Sequence, residues 1–398
     1  MNHQPAGTIT FARENHRLLL GAFAAFLLGN LTHSLSPLMI GALVNTLGYT
    51  KSAAGYIVSA EFIGIALAAL AVGPRVRRIS KRNAAILGCI GAIGLHIICI
   101  FFDSYNVLLG LRFLAGFSAG IGLAAGSAAV ASSIEPDRIF ALVKMGNALI
   151  MAAMVICAGW IIGEVGISGG WAILAGFSIL LLPLLLVLPH KAKDDKSKDV
   201  VVGKAAMPNP LQGTMAVTGL IIWLSGSGFC FVYNSFIAEQ SGFDMQNFSV
   251  LLAVGKIIGM TGGLAAAIVG IRHGRSFPLI LGISINAITW LIITIYSSPV
   301  IYSIGLALNY ISYFFVLPYV LGTSASVDSN GSWAAVASTT LLASLAISPV
   351  VGGLLIDNFG LVGLGVGTLV FEFLGLFLLL FAIKSLKALK LRTTQRPT

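Results

Sequence analysis

The chain is short of charge, and shortest of acid. Asp, Glu, Lys and Arg make up 10% of its residues, with 14 acids against 24 bases. A soluble globular chain is about 25% charged, so a water-solvated domain of this length is excluded. Only four cysteines and six histidines occur, and no set of them has metal-ligand spacing. Cys89, Cys99, Cys157 and Cys230 all fall inside apolar segments, which argues for core packing and against disulfides. A Walker loop, a nucleophile elbow and an HExxH pair are also missing. No cofactor and no metal is therefore expected, and nothing points to an enzyme. What is present is apolar: 57% of residues are hydrophobic, mean hydropathy is +0.95, and there are 46 glycines. Such a chain needs lipid around it, where small residues let helices approach closely.

A hydrocarbon core about 30 Å thick takes about 20 apolar residues in helix. The chain offers twelve such segments, six of them near 18–42, 52–73, 84–102, 106–133, 139–164 and 170–189. The other six lie near 213–237, 247–271, 277–296, 300–325, 333–356 and 361–384. Between them runs the polar stretch HKAKDDKSKDVVVGKAAMPNP (His190–Pro210), which reads as a solvated linker. The expected fold is an all-α polytopic membrane protein with twelve transmembrane helices in two pseudo-symmetric six-helix bundles. Residues 1–189 form one bundle, 190–212 a cytoplasmic linker and 213–398 the other. Twenty bases fall on one side of these segments, among them Arg17, Arg77, Lys81, Arg138, Lys193, Arg272 and Lys384, against Lys51 alone on the other. The positive-inside rule then puts both termini in the cytoplasm, in an inner (cytoplasmic) membrane. The first apolar segment is too long for the core of a cleavable leader and reads as a span. Bases scattered over short juxtamembrane loops suit anionic lipid, not nucleic acid.

Four charges fall near mid-depth: Glu61, Arg112, Lys256 and Glu372. Each costs about 2.5–3.5 kcal/mol to insert and calls for a partner or water. Lys144 and Glu164 lie nearer helix ends, within snorkelling reach of an interface. Glu61-Phe-Ile-Gly64 has a counterpart in the second half, Lys256-Ile-Ile-Gly259. Small residues, Ala68 and Gly263, follow seven positions after each charge on the same helical face. Parallel six-helix halves with a site between them are one transporter architecture. Glu61 is expected either to bind a proton, with burial and a nearby Arg112 or Lys256 setting its charge, or to tie two helices together. Lys256 is either its counter-ion across the halves or a contact for an anionic substrate. Glu372, in LVFEFLGLF, is left outside the expected site.

Four local motifs extend this reading. Gly73-Pro-Arg-Val-Arg77-Arg78-Ile-Ser-Lys81-Arg82 follows the second span, and Ile271-Arg-His-Gly-Arg275 is its counterpart. Arg112-Phe-Leu-Ala-Gly116 lies in the fourth span. Gly159-Trp-Ile-Ile-Gly163-Glu164 and Ser348-Pro349-Val-Val-Gly352-Gly353 lie in the fifth and eleventh. On these motifs the chain resembles the major facilitator superfamily over nearly its whole length, and the drug/proton antiporter type within it. Its signature loop is G-x-L-A-D-R-x-G-R-K, with Arg77 here at the acidic position and Ser80 at the second glycine. R-x-x-x-G is the motif of proton-coupled members, and G-P-x-x-G-G that of drug antiporters, matched more closely in the eleventh span.

The resemblance implies a monomer working by rocker-switch alternating access, with a cavity lined by helices 1, 4, 7 and 10. It places Arg112 in that cavity and makes Glu61 and Arg112 the proton-coupling pair. Gly73, Arg77, Arg78, Lys81 and Arg82 become a cytoplasmic gate loop. Asn30 and His33, three apart on one face, join Lys256, Tyr233, Asn234, Asn309, Tyr310 and Tyr313 as substrate-binding candidates. The expected activity is proton-coupled secondary transport of a small organic molecule, first as efflux by antiport. The rival is a proton symporter importing an organic anion such as an aromatic acid, and the remote alternative a non-transporting membrane enzyme or sensor. Substrate, protons and the lipid bilayer are the expected partners.

Overall fold

The computed structural model describes residues 7–72, 79–131, 136–188, 209–272, 274–327 and 332–394. The first group of helices is α1 (Gly7–Leu47), α2 (Lys51–Val72), α3 (Lys81–Cys99), α4 (Tyr105–Ala131), α5 (Pro136–Val165) and α6 (Ile167–Leu186). The second is α7 (Pro210–Val232), α8 (Asn234–Gln240), α9 (Met245–Val269), α10 (Ser276–Ile295), α11 (Pro299–Ala325) and α12 (Ser332–Thr394). No strand occurs among the described residues.

Three helices begin at a capping side chain. Ser80, Asp244 and Ser298 accept from the backbone N–H groups of Asn83, Asn247 and Ile301 at the starts of α3, α9 and α11. The expected seventh span is α7 followed by the short α8, divided at Tyr233. α12 runs for 63 residues, long enough for two passes, and breaks at Gly360, whose φ of 67° and ψ of −168° suit glycine alone. A side chain on Gly367 would meet Leu355. In a straight helix those positions stand about 18 Å apart, so the chain reverses at Gly360. Eleven helices are long and apolar enough to cross a membrane. With Thr340–Leu386 serving as two passes, they give the expected twelve.

The side-chain distribution is inside-out relative to a protein in water. Leu87, Leu180, Leu264 and Phe377 are exposed on the long helices, whereas Glu61, Arg112 and Glu372 are buried. That is the arrangement lipid imposes, because outward apolar groups are at no disadvantage there. Cys89, Cys99 and Cys230 are buried, but Cys157 is exposed, which corrects its expected place in the core. A span has a lipid face as well as a packed one, and apolar composition alone does not separate them. All four thiols are free.

The chain divides into two compact units. Unit 1 comprises Met1–Leu47 and Ala60–Lys198, and unit 2 comprises Gly48–Ser59 and Asp199–Thr398. α2 is therefore shared between them. Within unit 1, α4 packs on α1 and α3, and α6 on the same two helices. Within unit 2, α12 packs on α7 and α10, and α11 on α9 and α10.

Glycine sets the α2–α4 approach in unit 1. A Cβ on Gly116 would stand 2.0 Å from the Glu61 carbonyl oxygen, and one on Gly64 would stand 2.2 Å from that of Phe113. Overpacking costs about 1–3 kcal/mol where side chains can move aside, and a helix backbone yields less readily. Gly116→Val is thus expected to lose at least that much stability and to lower the melting temperature of the detergent-solubilised protein. An unchanged melting temperature would contradict the close approach.

Candidate functional site

Gly116 stands one turn after Arg112 and lies against the backbone of Glu61. That contact brings the two charged side chains together. Arg112 Nη2 donates to Glu61 Oε2 in a short ion pair, and each residue is 1% exposed. Thr32 Oγ1 on α1 donates to Glu61 Oε1 (2.7 Å) and accepts from Arg112 Nη2 (3.4 Å). Arg112 Nη1 lies 2.8 Å from His96 Nδ1 on α3. A guanidinium has no acceptor, so it donates and His96 Nδ1 accepts, which makes the ring neutral with its proton on Nε2. The Trp171 ring of α6 lies 4.6 Å from Arg112 Cζ and completes the enclosure by a cation–π contact.

Five helices of unit 1 thus surround one acid and one base. The assembly is neutral, and its neutrality matters because removing one partner of a buried pair strands the other charge. A proton on Glu61 does the same to Arg112 without a mutation. Within unit 1, Arg112 on the neighbouring helix is the cation paired with Glu61, and its donors find Glu61, Thr32 and His96.

The other candidates have contacts of their own. Asn30 Nδ2 donates to the Phe26 carbonyl of its own helix (2.7 Å). His33 is partly buried, with its ring edge-on to Phe62 at 6.2 Å. In unit 2, Lys256 is partly buried on α9, next to Gly255, where a Cβ would meet the Tyr310 ring at 2.6 Å. Tyr313 stacks on Trp223 at 5.8 Å, and Asn234 Oδ1 accepts from Tyr302 OH (3.0 Å). Asn286 Nδ2 of α10 donates to the Asn309 carbonyl (3.1 Å) and to Ser312 Oγ (3.2 Å). Among the described residues, the side-chain amide of Asn309, Tyr310 OH and Asn234 Nδ2 are buried without a hydrogen-bond partner. Groups of this kind usually meet water or a ligand.

Thr32, His96 and Trp171 were not legible as site residues. Thr32 adjoins His33, and its hydroxyl bonds to Glu61 of α2 and Arg112 of α4. The signal for His96 was its being a lone histidine in an apolar span, which by itself says nothing about Arg112.

The family model of the Major Facilitator Superfamily matches residues 18–329. The chain belongs to that superfamily. The uncharacterized MFS-type transporter YceJ of Bacillus subtilis (strain 168) is 22% identical over 353 residues, which are 86% of this chain and 90% of YceJ. The 4-hydroxybenzoate transporter PcaK of Pseudomonas putida is 25% identical over 206 residues, 48% of this chain and 43% of PcaK. The crystal structure of the nucleoside transporter NupG matches with a TM-score of 0.71 at 14% identity, over 93% of this chain and 98% of NupG. A bacterial homologue of the human lysosomal transporter Spinster matches with a TM-score of 0.65 at 13% identity, over 94% of this chain and 96% of that one. At these identities the structures share the fold. As a major facilitator protein the chain is a multi-pass membrane transporter with the alternating-access fold, and not an enzyme.

The superfamily's signature segments fall in three places. Gly73, Arg77 and Arg78 lie outside the described residues. Lys81 and Arg82, expected in the same loop, instead open α3, because Ser80 caps the helix just before them. Lys81 is buried, and its Nζ donates to the Ala128 carbonyl of α4 (3.3 Å). On α5, Gly159 is buried and Gly163 exposed.

The eleventh-span segment Ser348–Gly353 lies in the first arm of α12 and seats Tyr233. Tyr233 OH donates to the carbonyls of Pro349 (2.6 Å) and Lys51 (2.9 Å). A Cβ on Gly352 would meet the Tyr233 ring at 2.9 Å, and one on Gly353 would meet Ser52 Cα at 2.6 Å. Asp357 accepts from the backbone N–H groups of Lys51 (3.2 Å) and Ser52 (2.8 Å), capping the start of α2. Tyr233→Phe keeps the ring and removes its hydrogen bonds, so a loss of about 1 kcal/mol is expected, read as a lower melting temperature. A variant as stable as the parent would contradict these bonds.

Proposed function

We propose that the protein is a proton-coupled secondary transporter of a small organic acid, with Glu61 binding the proton and Arg112 as its counter-charge. The sealed, neutral Glu61–Arg112 pair carries this reading. Protonating Glu61 leaves Arg112 uncompensated in apolar surroundings, at a cost of several kcal/mol. An entering anion cancels that charge, so proton and anion favour each other's binding. The empty and the doubly loaded protein are then both neutral. Exchanging the proton for a cationic drug would instead leave one positive charge in both loaded states.

Three further observations support an organic acid. Lys256 adds a second, partly buried cation in unit 2. Tyr313, partly buried and stacked on Trp223, supplies an aromatic ring, and Asn309 and Tyr310 offer buried polar atoms without partners among the described residues. The relative PcaK is by name a 4-hydroxybenzoate transporter. Ser348–Gly353, the segment that favoured drug efflux, seats Tyr233 and so gives no argument for export. Import by symport is the direction that fits, in a monomer whose termini face the cytoplasm of an inner membrane.

Proteoliposomes with an acidic exterior test the proposal against a panel of labelled aromatic acids, aliphatic acids and cationic drugs. Aromatic acids are expected to accumulate inside and to leak out when a protonophore collapses the gradient. Proton-driven movement of the cationic drugs alone would overturn the reading in favour of antiport.

A further inference from the structure

Glu372 lies in the second arm of α12 and is 0% exposed. Neither of its carboxyl oxygens has a hydrogen-bond partner among the described residues. The surrounding sequence explains why no cation meets it. α12 packs on α7, α10 and α11, and none of those helices contains a Lys, Arg, His, Asp or Glu. The first arm of α12 carries only Asp357, which caps α2. In the second arm the nearest base is Lys384, about 18 Å along the helix. Lys256 is on α9, a helix that packs on α11.

The groups that do face Glu372 are neutral. The Cys230 thiol of α7 lies near it and contacts Thr368 Oγ1 (3.1 Å). The Ser227 hydroxyl, also of α7, lies beside the carboxyl and donates to Asn286 Oδ1 (3.2 Å). From α10 comes Asn286, whose amide continues to Ser312 Oγ (3.2 Å) and the Asn309 carbonyl (3.1 Å). α7 approaches closely enough that a Cβ on Gly226 would stand 3.2 Å from the Glu372 backbone nitrogen. Glu61 in unit 1 is the contrast: a carboxylate equally buried but paired with Arg112. An ionised carboxylate without such a partner is strongly disfavoured in an apolar interior, and taking up a proton relieves it.

We propose that Glu372 is a second proton-binding carboxyl, holding a proton in unit 2 independently of Glu61. The proposal does not depend on Glu61 coupling transport, and its test reads Glu372 directly. Infrared spectra of the full chain in lipid are recorded at about pH 8, where exposed carboxyls are ionised. A protonated-carboxyl C=O band is expected in the parent and in Glu61→Gln, and its loss is expected in Glu372→Gln. Should Glu372→Gln fail to fold, Glu372→Asp serves instead, and the band is expected to move without disappearing. A parent spectrum without the band would overturn the proposal, as would a band that Glu372→Gln leaves intact or Glu372→Asp leaves unmoved. Loss of the band on adding sodium at constant pH would also overturn it, by making the site one for a metal cation. If proton-driven uptake fails in Glu61→Gln while this band persists, the two carboxyls are shown to act separately.

Discussion

Arg112→Met is expected to lower stability by about 3–5 kcal/mol, the largest loss of any substitution considered for this protein. Methionine fills much of the volume, so the loss comes from the Glu61 carboxylate left buried without its cation. The neighbours deepen the effect, because Thr32 and His96 each lose a partner as well. Glu61→Gln together with Arg112→Met removes both charges, and much of the stability should return. Thermal melting of the detergent-solubilised single and double variants checks this. A single variant within about 1 kcal/mol of the parent would mean that water or another base reaches Glu61.

Glu61→Gln mimics the protonated acid, so it is expected to lose some stability by leaving Arg112 uncompensated and to lose the use of the proton gradient. Glutamine has the shape of the acid but cannot ionise, so the transporter has no proton to carry. With about one proton per anion and no net charge moved, a gradient of one pH unit sustains at most about tenfold accumulation. The parent should approach that limit, and the variant should equilibrate substrate without concentrating it. Counterflow, in which unlabelled substrate inside drives labelled substrate in, needs no proton and should persist. Loss of counterflow as well as accumulation would assign Glu61 to folding or substrate contact and not to coupling.

The membrane fold was legible because lipid leaves few options. Apolar runs of about 20 residues have to be helices, and twelve of them separated by a polar linker define two halves. Individual boundaries were less legible. Nothing in the apolar count distinguishes a loop from the single left-handed Gly360 that turns α12 back on itself. Glu61 and Arg112 stood out because charge is rare at mid-depth, and the small residues around them marked close packing. Their partnership was read as one of two options, with Lys256 the other, since linear spacing cannot say which helix lies beside α2. The decision rests on the contact of Gly116 with the Glu61 backbone, a three-dimensional fact. Thr32, His96 and Trp171 stayed hidden for a related reason: each is ordinary in its own segment and gains meaning only around the guanidinium. Glu372 was visible as a charge, yet its isolation emerged once α7, α10 and α11, all without charge, were found packed on its helix.

Proton movement caused by the substrate itself tests the account most directly. A transported aromatic acid, chosen by the uptake panel, is added as its anion to weakly buffered proteoliposomes with no imposed gradient, and external pH is followed. The parent is predicted to make the medium more alkaline as about one proton enters with each anion, beyond the leak of protein-free vesicles, and Glu61→Gln vesicles should match that leak. Acidification of the medium, or alkalinisation undiminished in Glu61→Gln, would contradict the account.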